Sequence, residues 1–244
     1  MLFDTHAHLS EATPQEIAAL HYPVLNVTTD PSQWNNAVEL SKQFPMVGCA
    51  LGLHPWFVSQ DSFAALDILE NYLQREKISA LGEIGLDFQK QFSNNKTLQL
   101  ELFECQLQLA QKYRLPVSIH VIKAHNEMLA LLKEYRVGGV IHALGASLPL
   151  VESYINLGLK IGVNGVVCRI NAHRYHAMLQ NFDLSHFVLE TDYPNIVLPG
   201  HTHVALNDLQ EVAKMISSLK TLPVAEVLQQ TSYNAQQIFR FSQE

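Results

Sequence analysis

The sequence predicts an α/β fold, a parallel (β/α)8 barrel of the TIM type, on three observations. Short β-type apolar runs alternate with amphipathic helical stretches eight times along the chain. Its 244 residues lie close to the ~250 typical of such a barrel. No Gly-rich phosphate-binding turn follows the first strand, as it would in a doubly wound nucleotide-binding sheet. No low-complexity tract, charge run or Gly/Pro/Ser linker interrupts the alternation, so residues 1–244 are expected to form one domain.

Each element has a local reason. Leu2-Phe3 opens the first strand, with His6 and His8 two apart at its end, so both imidazoles project to one side. Thr13-Pro14-Gln15-Glu16 reads as a helix start with Thr13 as N-cap, Pro14 in the first turn and Glu16 completing a capping box. Pro23–Thr28 is the second strand, and Pro31–Phe44 a helix stopped by Pro45. Met46–Leu53 is the third strand, ending at His54-Pro55; Asp61 or Ser62 caps a helix to about Glu76. Ile78–Gly85 is the fourth strand, and Lys96–Tyr113 a long helix carrying Leu98, Leu102, Cys105, Leu109 and Ala110 at helical spacing. Pro116–His120 is the fifth strand and Ala124–Tyr135 its helix; Gly139–His142 is the sixth, followed by Leu148–Leu157. Lys160–Val163 is the seventh, with a helix in the Ala172–Leu179 region, and Phe187–Thr191 is the eighth. Helices over Val204–Leu219 and Val224–Phe241 close the chain.

Composition narrows the class of protein. Hydrophobic content of 48% with 16% charged residues describes a globular chain with ample core. A net charge of −7 argues against a broadly basic nucleic-acid surface, though not against a local patch or a metal site that supplies the positive charge. Cys49, Cys105 and Cys168 show no metal or redox spacing and read as reduced buried thiols. No secretory signal or apolar run of ~18 residues is present, so a cytoplasmic monomer without a membrane partner is expected. Among the 12 histidines, His173, His176, His186, His201 and His203 lie in polar surroundings and read as surface residues.

The remaining histidines fall where apolar runs stop. His6 and His8 end the first strand, His54 follows the third, Glu83 ends the fourth, His120 the fifth and His142 the sixth, while Asp192 follows the eighth. In such barrels the C-terminal strand ends carry the active site. Any one of these residues alone reads as a hydrogen-bonded core or turn group. Together, buried ionisable groups in one place require partners or a metal. His6, His8, Glu83, His120, His142 and Asp192 exceed the usual four ligands of one zinc ion and suit two divalent ions, bridged by the carboxylate of Glu83. Zn, Mn, Mg and Ni all suit such donors. The expected chemistry is hydrolysis by water that the ions activate, held at the site that Glu83 bridges.

These residues lie in stretches that together resemble the TatD family of metal-dependent hydrolases, within the amidohydrolase-like barrels. They are Phe3-Asp4-Thr5-His6-Ala7-His8-Leu9, Gly52-Leu53-His54-Pro55, Gly82-Glu83-Ile84-Gly85-Leu86-Asp87, Pro116–His120, Gly139–His142 and Leu189-Glu190-Thr191-Asp192. The resemblance implies phosphodiester hydrolysis, commonly 3′–5′ deoxyribonuclease activity, with DNA or another phosphodiester as substrate. It implies one ion on His6, His8, Glu83 and Asp192, and a second on Glu83, His120 and His142. Asp192 would orient or deprotonate the attacking water, and His54 would face the substrate. Three departures alter the expected substrate wall. Ile122 stands where the family often has a phosphate-gripping Arg, Ala143-Leu144-Gly145 replaces a Cys-Phe-Ser/Thr pattern, and Tyr193-Pro194 replaces Ala-Pro. Lys123 and Arg169 are the candidate phosphate contacts. The departures leave room for lactonase, amidase or deaminase chemistry on the same site. A non-catalytic metal-binding role is the third alternative.

Overall fold

The structure, a computed structural model, describes residues 2–239. Its first half runs β1 (Asp4–Ala7), α1 (Pro14–Ala18), β2 (Val24–Val27), α2 (Trp34–Gln43), β3 (Val47–Leu51), α3 (Ser62–Arg75), β4 (Ala80–Asp87) and α4 (Lys96–Tyr113). The second half runs β5 (Val117–Ile122), α5 (His125–Glu134), β6 (Gly139–Ile141), α6 (Leu148–Asn156), β7 (Lys160–Val163), α7 (His173–Asn181), β8 (Phe187–Leu189), α8 (Leu209–Lys220) and α9 (Val224–Ile238). The strands form one parallel sheet in sequence order, β1 to β8.

The ring closes where β1 meets the segment after β8. Ala7 bridges Tyr193 in parallel, Asp192 N–H donates to His6 O at 2.9 Å, and His8 N–H donates to Tyr193 O at 2.8 Å. Thr191 adds two bonds to Asp4, its hydroxyl at 2.6 Å from Oδ2 and its N–H at 3.0 Å from Oδ1. Burial pushes the Asp4 carboxyl up to about 7, against these hydrogen bonds. The eight-stranded parallel barrel is thus the expected TIM-type fold. Leu51, Leu81, Ile119, Ile141 and Ile161 are fully buried on the strands. Leu102, Leu107 and Ala110 of α4 bury the helical stripe that packs on them.

The capping box at Thr13 is present, with Glu16 N–H donating to Thr13 Oγ1 and Thr13 N–H to Glu16 Oε2. Several boundaries differ from expectation for local reasons. Asp61 occupies the N-cap of α3 without a side-chain bond, while Ser62 Oγ accepts Ser59 N–H. The helix expected from Val204 begins at Leu209, because Asp208 turns back to accept Ala205 N–H and residues 204–208 form a turn. Residues 240 and 241 of the last expected helix lie outside the described residues. Only Cys49 is a buried thiol; Cys105 and Cys168 are half-buried. His176 and His186 are half-buried too, and the His176 ring donates to Val167 O.

The largest difference lies in β4 and β5. Both continue past the polar residues at which the apolar pattern stops, so Glu83 and His120 sit within strands. Backbone pairing carries on as Gly85↔His120, Leu86↔Val121 and Asp87↔Ile122. Gly85 makes this possible: its φ is +146°, and a Cβ there would stand 1.9 Å from His120 O. Gly85→Ala is therefore expected to cost on the order of 3 kcal/mol. Melting should fall by roughly 6–12 °C for a chain of this size. Gly138→Ala is the control, since a Cβ there meets nothing within 4 Å.

Candidate metal centre

Glu83 is the hub of the barrel mouth. Its Oε2 lies 3.4 Å from His6 Nε2 and 3.7 Å from His8 Nε2, and its Oε1 lies 3.4 Å from His54 Nε2 and 3.0 Å from His120 Nδ1. Asp192 faces it, with Oδ1 3.7 Å from His8 Nε2 and Oδ2 3.7 Å from His142 Nε2. The His6 and His142 rings stack at 3.7 Å. All six expected ligands and His54 therefore meet in one place, and all but the half-buried His8 are buried.

Three sets of donors stand close enough to share an ion: His6 with His142 and Asp192; His6 with His8 and Glu83; and His54 with Glu83 and His120. This grouping differs from the allocation implied by the family resemblance in two respects. His142 stands with His6 and Asp192, and His54 stands with Glu83 and His120.

The second nitrogen of each ring sorts these histidines. His8 Nδ1 donates to Val27 O at 3.1 Å, which leaves the Nε2 lone pair facing the carboxylates. His6 Nδ1 is held by Ser118 Oγ at 2.9 Å, and its buried Nε2 has no hydrogen-bond partner. His142 Nδ1 lies 2.9 Å from Glu190 Oε1, off the line of a hydrogen bond, so the carboxylate draws the ring proton to that side. His54 is opposite: its Nδ1 accepts Trp56 N–H at 3.2 Å, so the neutral ring carries its proton on Nε2. A ring in that tautomer offers no lone pair to an ion and is a donor towards Glu83. His120 bridges two carboxylates, Nδ1 to Glu83 and Nε2 to Asp87 at 3.2 Å. The orphaned Nε2 of His6 and the all-nitrogen-and-oxygen donor set fit divalent ions.

Electrostatics follow from this wiring. Burial and the neighbouring His6 push His8 down to about 4, so it is neutral at working pH. Burial likewise lowers His54. Burial opposes the charge on His142, yet Glu190, Asp192 and Glu83 push it up to about 10. His120 is raised, burial again being outweighed by Asp87 and Glu83. Burial alone would raise the Glu83 carboxyl, but His54, His6 and His120 hold it well below the usual range.

Four supporting residues had no role assigned from the sequence. Asp87 is fully buried and holds both His120 and the Trp56 indole, whose Nε1–H donates to Oδ2 at 2.6 Å. Period-two spacing was its signal, because Glu83, Gly85 and Asp87 share one face of β4. Glu190 accepts Ala143 N–H at 2.8 Å beside His142, in space that a Cβ on Gly162 would fill at 2.1 Å. Ser118 lies two residues before His120 on the same face of β5. Asn195 holds Asp192, donating to Oδ1 at 3.0 Å.

A cavity of about 570 Å³ opens above the cluster, lined by His8, His54, Glu83, His120, His142 and Asp192 together with Trp56, Phe57, Ile122 and Ile196. Lys123 and Arg169 do not line it. Ile122 takes the position towards the cavity, and exposed Lys123 follows in a left-handed conformation at φ +55°. Arg169 is exposed at the end of the turn after β7.

A family model described as "TatD related DNase" matches residues 3–240. The uncharacterized metal-dependent hydrolase YjjV of Escherichia coli K12 is 30% identical, with 97% of this chain and 96% of that protein covered. A 3′-5′ ssDNA/RNA exonuclease TatD from a Pantoea species is 29% identical over 78% of this chain and 77% of its own length. The crystal structure of the E. coli YjjV TatD homologue superposes with a TM-score of 0.90 at 29% identity, covering 98% of this chain and 97% of that one.

Proposed function

The chain belongs to the family of TatD-related DNases, metal-dependent hydrolases, and from that premise we propose that it hydrolyses phosphodiesters with two divalent ions, acting on DNA ends. The observation that carries this reading is the wiring of the mouth. The Nε2 atoms of His6, His8 and His142 all face Glu83 or Asp192, while Ser118 and Val27 hold the Nδ1 atoms of His6 and His8 from behind and Glu190 stands beside that of His142. His6, His8, Glu83 and Asp192 would hold one ion, and Glu83, His120 and His142 the other. When bound, such ions supply positive charge against the phosphoryl oxygens and a lowered pKa for water.

The remaining steps belong to side chains. Asp192, steadied by Asn195, is placed to orient the attacking water and take its proton. His54, with its proton on Nε2, donates towards the substrate side of Glu83. Glu190 and Asp87 keep His142 and His120 in orientation.

The test is a substrate panel on protein reloaded with Mn²⁺, Mg²⁺, Zn²⁺ or Ni²⁺. Aryl phosphodiesters and single-stranded DNA should be cleaved, and His120→Ala should abolish the cleavage. Turnover of lactones or amides with phosphodiesters untouched would overturn the reading in favour of carbon-centred hydrolysis.

A further inference from the structure

The cavity wall is unusual for a site proposed to take a polyanion. No Lys or Arg lines it among the described residues, and its acidic side chains are Glu11, Glu83 and Asp192. Beyond the ion ligands, its notable surface is aromatic. Trp56 and Phe57 are 45% and 55% exposed, side by side at the rim. Exposed rings of that size lose favourable burial unless something covers them.

Trp56 is held as a platform. Its Nε1–H donates to Asp87 Oδ2 at 2.6 Å, and its ring stacks on Phe92 at 5.3 Å with 15° between planes. Its centroid lies 4.9 Å from that of His54 and 5.7 Å from that of His120. Phe57 lies 6.0 Å from His54. A group stacked on this pair would therefore sit one ring's reach from Glu83. The cavity has roughly the size that encloses one nucleotide-sized ligand.

Resting on the phosphodiesterase reading, we propose that Trp56 and Phe57 form a subsite that stacks the nucleobase next to the scissile phosphate. Recognition then comes from a flat π-face rather than from a basic phosphate clamp, so it tolerates any base. A chain end enters the site, and the backbone beyond it finds no cationic track in the cavity.

Fluorescence reads this directly, because Trp34 is fully buried and Trp56 exposed. In the ion-loaded protein, AMP should quench tryptophan emission, ribose 5-phosphate should not, and Trp56→Phe should remove the signal. Phe57→Ala should weaken AMP roughly five- to a hundredfold, the range carried by base–aromatic stacking. Phe57 is exposed enough that its truncation leaves the fold intact. Kinetically, thymidine 5′-(p-nitrophenyl phosphate) should show a lower KM than methyl p-nitrophenyl phosphate, and Phe57→Ala should narrow that gap. Equal binding of AMP and ribose 5-phosphate, or equal KM for the two esters, would overturn the subsite even if both esters are cleaved. AMP quenching at Trp56 without any phosphodiester cleavage would support the subsite while removing the functional reading beneath it.

Discussion

Glu83→Gln is expected to reduce hydrolysis by at least ~10³-fold and to remove most bound metal, while leaving the fold in place. Four imidazoles approach this one carboxylate, at 3.0 to 3.7 Å. Glutamine keeps the shape but removes the charge and one of the two equivalent oxygens, so it could not bridge two ions as the proposal requires of Glu83. His120 is raised by Asp87 and Glu83 together. With Glu83 neutral, that pKa should fall and the ring shed its proton, which avoids an unpaired buried charge. Melting of the ion-free variant near pH 8 should therefore stay within a few degrees of the parent. Metal content by mass spectrometry and initial rates check the claim together. A variant that keeps its metal and its rate would show that Glu83 is not the hub.

Metal uptake is expected to expel protons. In the ion-free protein His142 is pushed up to about 10, so it is protonated near pH 7, and Asp87 and Glu83 raise His120 above the ordinary histidine value. A divalent ion binds only the neutral rings, so each must lose its proton. The logarithm of the apparent affinity should rise with pH with a slope of about two up to the raised pKa of His120. Above it the slope should be about one, up to about 10. Stability runs the other way without ions. For groups whose folded pKa is raised, the contribution is complete below the ordinary histidine value of about 6.5. It is lost as pH climbs through the folded value. Chelated protein should thus melt lower at pH 9 than at pH 6.5, and ion-loaded protein should show the reverse. Calorimetric titration in buffers of differing ionisation enthalpy measures the protons released. Uptake without proton release would place the ions away from His142 and His120.

Much of this architecture was legible because it depends on period and position. Alternating apolar runs and helical stripes set the eight β/α units, and the stops in those runs placed His6, His54, His142 and Asp192 at the mouth. The pattern misjudged β4 and β5, where backbone pairing outlasts the apolar run. Gly85 reads as the end of a strand and Asp87 as lying beyond it, when both are its continuation. Asp87 was hidden for that reason, although it shares a face with Glu83. Ring tautomers were not legible at all, since they depend on Val27 O and Trp56 N–H, partners on neighbouring loops and strands. Lys123 and Arg169 differ in another way. Charge suggested phosphate contacts, but Ile122 takes the inward position and both cations stay at the surface.

Anomalous diffraction from crystals soaked in Mn²⁺, collected around the absorption edge, tests the central claim most directly. The expected result is two peaks at the barrel mouth, both within bonding distance of Glu83, one towards His6 and His8 and the other towards His120 and His142. An empty mouth in Mn²⁺-saturated, catalytically active crystals, or ions bound only away from Glu83, would contradict it.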